Sequence, residues 1–408
     1  MQDFKTLLGE DRFRAVWLTG MMIGVFRWLE LLAIGVFTFQ TTGSAVLVSL
    51  MTLLRMAPLF LFGLPMGMLA DRFDRKTLLL IGLFALTLSS SVLAVLAITD
   101  RLTLWHVGLS AFLNGTFWAA EFSVRRSMLG EIAGNARVGP AMALESSTSN
   151  ATRMLGPGLG GLILETAGLT GIFIASAVTY AVCLLLIRPL VYQAQGASRS
   201  SSLIDTLIEG WRTVRSSRII LASLAITMVV NFWGFAYITL IPVIGEDQLG
   251  LSAMMIGMMA STEGLGALIG ALLVGMYARP AHYTRLYLYA SALFILTLVV
   301  FGLSTSQPLS FAMMLLAGLF VSGFAVMQST VTFMAAPPET RARVMGVLTV
   351  SIGTCPIGML HVGLLADMFG AGPAVMIMAI EGLLALSVVA VFWPEMRRET
   401  VVNAGGSS

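Results

Sequence analysis

The chain is built of long apolar runs separated by short polar breaks. The runs recur at the length of about 20 residues that an α-helix needs to cross roughly 30 Å of hydrocarbon. Apolar length and polar breaks predict helices at 15–39, 44–70, 77–98, 103–124, 141–166, 169–190, 219–243, 250–278, 284–304, 307–334, 342–368 and 372–394. The alternation of apolar and polar positions that a barrel strand requires is absent. The expected fold class is an all-α membrane protein of twelve transmembrane helices.

The longest polar stretch, Val191 to Arg218, divides these helices six and six. It opens with the Ser-rich Gln195-Gly196-Ala197-Ser198-Arg199-Ser200-Ser201-Ser202, the composition of a linker. Leu203, Ile204, Leu207, Ile208, Trp211 and Val214 follow at helical spacing, the pattern of an amphipathic helix on a membrane surface. The expected domains are residues 1–190, a six-helix bundle; 191–218, a cytoplasmic linker with its amphipathic helix; and 219–408, a second bundle with a short tail. The halves echo each other. Gly67-Met68-Leu69-Ala70-Asp71-Arg72 after the second helix lies on Gly275-Met276-Tyr277-Ala278-Arg279 after the eighth, and Ala136-Arg137-Val138 on Ala342-Arg343-Val344. A duplicated unit, giving two pseudo-symmetric bundles, is the simplest account.

Composition agrees. Hydrophobic residues are 57% of 408, charged residues 11%, and the mean hydropathy is +0.89. No soluble core of this length could bury that much apolar surface. The net charge of +3 is spread over short loops rather than gathered in a stripe, so no nucleic-acid partner is expected. The loops after the even-numbered helices and both tails hold most Lys and Arg, whereas only Arg101 lies in an opposite-side loop. The positive-inside rule then puts both termini in the cytoplasm. The polar N-terminus lacks a small-residue cleavage site, so the first helix is expected to remain in the mature protein. Cys183 and Cys355 fall in apolar segments and read as packing residues, with no metal or redox role.

The loop between the second and third helices reads Gly67-Met68-Leu69-Ala70-Asp71-Arg72-Phe73-Asp74-Arg75-Lys76. It resembles the major facilitator superfamily signature G-x-L-x-D-R-x-G-R-R/K, departing from it at Asp74, where the family usually has Gly. The resemblance implies that Gly67 permits close helix contact and that Asp71 and Arg72 close a cytoplasmic gate through charge pairs. Glu121, Arg125 and Glu145, which lie toward the same membrane side, are expected to join that gate. In the fifth helix, Gly156-Pro157-Gly158-Leu159-Gly160-Gly161 is similar to the G-P-x-x-G-G motif of the drug:proton antiporter branch, with Thr152 where an earlier glycine is usual. Pro157 frees a backbone carbonyl, and Gly156, Gly160 and Gly161 let a neighbouring helix approach. The longer stretch from Asn150 resembles the third antiporter subfamily, which contains macrolide, siderophore and lysophospholipid transporters.

Ionised side chains at bilayer depth each cost about 3 kcal/mol on insertion scales and need an internal partner or a watery cavity. Near mid-membrane stand Arg27, Glu30, Arg55, Arg153 and Glu263, the candidate transport and coupling residues. Arg27 and Glu30, three apart, and Glu121 and Arg125, four apart, can each meet on one helical face. Arg153 and Glu263 are expected to form a coupling pair. The 26 methionines, including Met254, Met255, Met258 and Met259, and the intrahelical Trp28, Trp118 and Trp233 read chiefly as packing residues that can also line an adaptable pocket. His106, His282 and His361 are dispersed and belong to no metal or nucleophile motif, and no Gly-rich Lys loop for ATP is present, so neither an enzyme nor a primary pump is expected. The expectation is a secondary transporter without cofactor or metal, a monomer in the bacterial inner membrane. It would export a small amphipathic compound in exchange for protons; a lysophospholipid flippase, a siderophore exporter and an uptake carrier are the alternatives.

Overall fold

The computed structural model describes residues 2–72, 74–134, 137–192, 211–337 and 340–398, with side chains at all of these except 2–5, 60, 63–72, 122, 123 and 342. Among the described residues, the chain is helical nearly throughout and no strand occurs. The first unit comprises residues 1–200 and 250–261. It contains α1 (Gln2–Gly9), α2 (Asp11–Thr42), α3 (Ala45–Arg72), α4 (Arg75–Ile98), α5 (Leu104–Ala133) and α6 (Val138–Ile187). The second unit, residues 201–249 and 262–408, begins with helical residues 211–216 (α7) and α8 (Arg218–Val229), followed by α9 (Ile241–Val243). Then come α10 (Ala253–Tyr277), whose first turns belong to the first unit, α11 (Tyr283–Leu303), α12 (Gln307–Ala335), α13 (Arg341–Ile352), α14 (Cys355–Phe369) and α15 (Ala371–Phe392).

Nine helical stretches of the described residues are long and apolar enough to cross a membrane. One of them, α6, is two spans. Its backbone breaks at Gly168, with φ 64° and ψ −171°, between the expected fifth and sixth helices. A left-handed residue there is available to glycine without steric cost. The apolar part of α3, Ala45–Leu59, and α5, whose run is interrupted by Asn114 and Glu121, supply the remaining crossings of a twelve-helix fold. Burial is inverted relative to a soluble protein. On α4, Ile81, Phe84, Leu88, Val92 and Val95 form an exposed apolar stripe at helical spacing, and Ile380, Leu384, Val388 and Val391 do the same on α15. Such stripes have lipid as their solvent.

Two expected helices are not regular. The seventh keeps α-geometry to Val229 and regains it only at α9. It continues through π turns at Val230–Gly234 and Ile244–Gln248, with a 3₁₀ stretch at Phe235–Leu240 between them. The eleventh, expected as one helix over 342–368, is broken at Gly353 and Thr354 ahead of Pro356, because proline cannot supply an N–H to the preceding turn. Non-α backbone at membrane depth persists only where neighbouring groups satisfy it. Here the Thr354 hydroxyl donates to the Met228 carbonyl at 3.3 Å, tying one irregular span to the other.

Candidate functional site

The interior of the first unit is organised by charge. Arg125 on α5 donates through both terminal nitrogens to the two Glu145 oxygens on α6, at 2.5 and 2.6 Å, and through Nε to Glu121 one turn back. The other Glu121 oxygen accepts from Arg27 on α2 at 2.7 Å. Glu121, Arg125 and Glu145 are all under 5% exposed, so this is one buried chain of alternating charges across three helices. Gly20 makes it fit: a methyl there would come within 2.2 Å of Arg125 Nη1. The Arg27 guanidinium also covers the Trp118 ring at 4.5 Å, a cation–π contact.

A second cluster adjoins the first. Arg55 on α3 donates from both terminal nitrogens to one Glu30 oxygen at 3.2 Å, the Tyr180 hydroxyl donates to the other at 3.0 Å, and Arg55 also reaches the Arg27 carbonyl. The expected pairing of Arg27 with Glu30 along one helix is thus not the arrangement found. Each takes a partner from another helix, whereas the other expected one-turn pair, Glu121 with Arg125, does form along α5. Between the clusters lies a void of only about 10 Å³, bounded by Arg27, Arg55, Asn114, Trp118 and Tyr180, room for about one water.

The glycine motif of α6 sets helix spacing. A methyl at Gly156 would meet Val25 O and Trp28 Cβ at 2.7 Å, and one at Gly160 would meet Leu29 O at 2.8 Å, so both bring α6 onto α2. Gly161 does the same toward Ala253 O at 2.4 Å, and the Pro157 carbonyl lies against Gly257 on the first turns of α10. The Gly158 N–H donates to Ser261 Oγ at 2.8 Å. Thr152, standing in for the usual glycine, packs on Gly24 of α2, so the small residue has moved to the partner helix. Asp74, standing in for the signature's other glycine, caps α4 by accepting from Thr77 N and Oγ1 at 2.9 and 2.7 Å, with φ −59°. Beside it Arg75 pairs with Glu131, which also accepts from Tyr192; burial and that bond push the Tyr192 hydroxyl up to about 12. Glu131, Tyr192 and Tyr180 carry no sequence signal, since only the fold brings them to their partners.

The side chains of Gly67, Asp71 and Arg72, and the linker residues 193–210, lie outside the described residues. Arg153 lies over the Trp28 ring at 5.5 Å in the first unit, and Glu263 is buried on α10 in the second, its carbonyl against Gly318. Met259 is fully buried, whereas Met254 and Met258 are exposed. Between α2 and α6 a cavity of about 510 Å³ opens, lined by Trp17, Met21, Met22, Val25, Phe26 and Leu155, with Thr148 accepting the Trp17 N–H at 2.9 Å.

A four-residue cluster in the second unit is the main site residue set not anticipated. Glu381 on α15 accepts from Trp233 Nε1 at 3.0 Å and bonds His361 Nε2 on α14 at 3.0 Å, with Phe232 against the imidazole. The criterion that picks out Glu263, an acid inside an apolar run, also picks out Glu381.

The buried charges of the first unit are paired with one another inside an apolar helical bundle. Residues 6–403 match the family described as transmembrane secretion effector. The chain belongs to this family of major facilitator transporters. The transporter is 25% identical over 374 residues to the staphyloferrin A transporter of Staphylococcus aureus, covering 90% of this chain and 91% of that one. It is 27% identical over 390 residues to the multidrug efflux pump Tap of Mycolicibacterium fortuitum, with 93% and 92% covered. Its fold is that of an inward-facing bacterial homolog of the human lysosomal transporter Spinster, at a TM-score of 0.69 and 16% identity, with 95% of each chain covered. It is a multi-pass membrane transporter, and the relatives in this family are transporters, not enzymes.

Proposed function

We propose that the transporter exports a small amphipathic compound from the cytoplasm by alternating access, in exchange for protons, as a monomer in the bacterial inner membrane with both termini in the cytoplasm. The observation that carries the reading is the cavity of about 510 Å³ between α2 and α6. Its wall is aromatic, aliphatic and thioether, with flexible Met21 and Met22 able to reshape it, and no charged side chain lines it. It suits the apolar part of a ligand of varied shape. The relative named a multidrug efflux pump supports this substrate class. The relative named a staphyloferrin A transporter favours a second reading, export of a siderophore.

Within this proposal Asp71 and Arg72 close the cytoplasmic side together with Glu121, Arg125 and Glu145, and Arg153 and Glu263 take part in coupling. Transport into inside-out vesicles of dyes, macrolides, lysolipids and a ferric-ion chelator, with and without a protonophore, tests it. Concentrative uptake abolished by the protonophore, with proton release on adding substrate, is the expected result. Uptake indifferent to the protonophore overturns proton exchange, and accumulation only in right-side-out vesicles overturns export. Glu263→Gln is expected to lose the response to a pH gradient while retaining downhill exchange.

A further inference from the structure

In the second unit Glu381 is, like Glu263, an acid at bilayer depth, and the coupling residues above do not include it. Glu381 lies ten residues into α15 from Ala371, about 15 Å along the helix axis, and His361 lies eight residues before the end of α14 at Phe369, about 12 Å. Trp233 lies midway along the span Arg218–Gln248. All three therefore stand near mid-membrane, where an ionised group is costly unless it is compensated.

We propose that His361 and Glu381, with Trp233 bonded to the same carboxylate oxygen, form a proton-binding site of the transporter. Glu381 Oε2 accepts the Trp233 Nε1–H at 3.0 Å and lies 3.0 Å from His361 Nε2; with the carboxyl ionised, Nε2 is the donor to it. The imidazole nitrogen left over, Nδ1, is then where a proton arrives and departs. With it bound, imidazolium and carboxylate form a net-neutral pair. With it gone, a lone carboxylate remains, held by two N–H donors. The first unit closes its buried carboxylates with arginines, which stay charged at every physiological pH. Here the partner is histidine, the side chain whose charge ordinarily changes between about pH 5 and 8. About a third of each side chain is accessible, 34% for His361 and 39% for Glu381, whereas Glu121 is fully enclosed. Two protein ligands do not make a metal site, and no group of three His, Cys, Asp or Glu able to hold a metal occurs among the described residues.

Among the described residues, no other titratable group of the surrounding elements bonds the pair. The π turn Val230–Gly234 brings none. The 3₁₀ stretch after it brings Tyr237, enclosed by Phe294 and Phe301. Arg218 of α8 is engaged by Glu395 and the Phe392 carbonyl at the other end of α15. Arg285 of α11 donates to the Arg397 carbonyl, and Tyr287 is bonded to Thr227 and Ser223, leaving Tyr283 and Tyr289 on that helix. Glu246 and Asp247 stand at the far end of the Arg218–Gln248 span, Arg397 beyond α15, and Asp367 on α14 six residues after His361.

The site has a structural readout. It joins α14 and α15 to the π turn of the irregular seventh span, and α14 starts just after the break at Gly353 and Thr354. The backbones close tightly around it: a methyl at Gly358 would meet Phe232 O at 1.9 Å and one at Gly382 would meet Trp233 Cβ at 2.8 Å. Taking up or losing the proton changes the tie between two spans that already depart from α-geometry.

Trp233 allows proton binding to be read without transport, because imidazolium quenches a neighbouring indole. Purified transporter in lipid nanodiscs is expected to show a tryptophan emission component that falls on acidification between about pH 8 and 5. It should vanish in Trp233→Phe and in His361→Gln, and persist in Glu381→Asp. Emission flat across this range in the wild type, or a component unchanged in His361→Gln, overturns the site. As a coupling element the site rests on the proton-exchange reading above, and the same proteins in vesicles separate the two. An intact emission component with transport indifferent to a pH gradient overturns that reading and leaves the site. Full pH-gradient response in a His361→Gln protein that has lost the component overturns the site's part in coupling.

Discussion

The two units solve the same packing problem by opposite means. The first holds its helices with arginine and glutamate: Arg27, Glu121, Arg125 and Glu145 in one chain, Arg55, Glu30 and Tyr180 in another. The second holds its helices with rings and hydroxyls. Tyr287 stacks on Phe324 at 5.6 Å and shares a hydrogen bond with Thr227 at 2.8 Å, Ser223 and Thr332 bond at 2.7 Å, and Phe235 bridges Phe294 and Phe324. A buried ion chain is unforgiving, because losing one member leaves a charge stranded in low dielectric, whereas an aromatic and hydroxyl core loses only the contacts of the atoms removed. On the proposals above, arginine fixes the charges of the first unit, and the groups that bind protons, Glu263 and His361, lie in the second.

The sharpest way to break this contrast is Arg125→Met. It strands Glu145 and removes half the support of Glu121, and should destabilise the protein by about 3–5 kcal/mol, seen as loss of the monodisperse peak or a large fall in melting temperature in detergent. Arg125→Met combined with Glu145→Leu should recover much of that loss. If the double variant is as unstable as the single, the network does not act as a coupled chain.

Close backbone contact, not charge, limits the second unit at Gly358. Gly358→Ala drives a methyl into the Phe232 carbonyl and should cost about 1–3 kcal/mol, measured as a lower melting temperature; a neutral result would mean that α14 can move off the seventh span freely. Tyr287→Phe keeps the stacking on Phe324 and deletes only the hydroxyl bonds, so about 1 kcal/mol is expected, well below the Arg125 effect. An effect of equal size would erase the distinction between the units.

The smallest effect is expected at the surface. The hydrogen bond from Arg218 at 2.6 Å holds the Glu395 carboxyl below the usual carboxylate range. A lowered folded value means that the pair stabilises at neutral pH and that its contribution is lost as pH falls through the acid range. Glu395→Gln should therefore lower the melting temperature by roughly a degree at pH 7, and by less near pH 4, since exposed pairs contribute little.

The membrane class, the spans and the family were legible in the sequence because each rests on local information. Hydrocarbon thickness imposes a run length, and the motifs from Gly67 and from Gly156 are contiguous strings. The buried charges were legible as a list, since Arg27, Glu30, Arg55, Glu121, Arg125 and Glu145 interrupt apolar runs. Their partners were not. Whether Arg27 meets Glu30 on its own helix or Glu121 on α5 depends on how closely α2, α5 and α6 approach, which Gly20, Gly24 and Gly156 decide only once they face one another. The same holds for His361, a histidine without a motif until α14 and α15 bring it to Glu381 and Trp233. Run length is a property of one segment and can be read from it, whereas a charge pair is a property of two segments and exists only where tertiary packing puts them side by side.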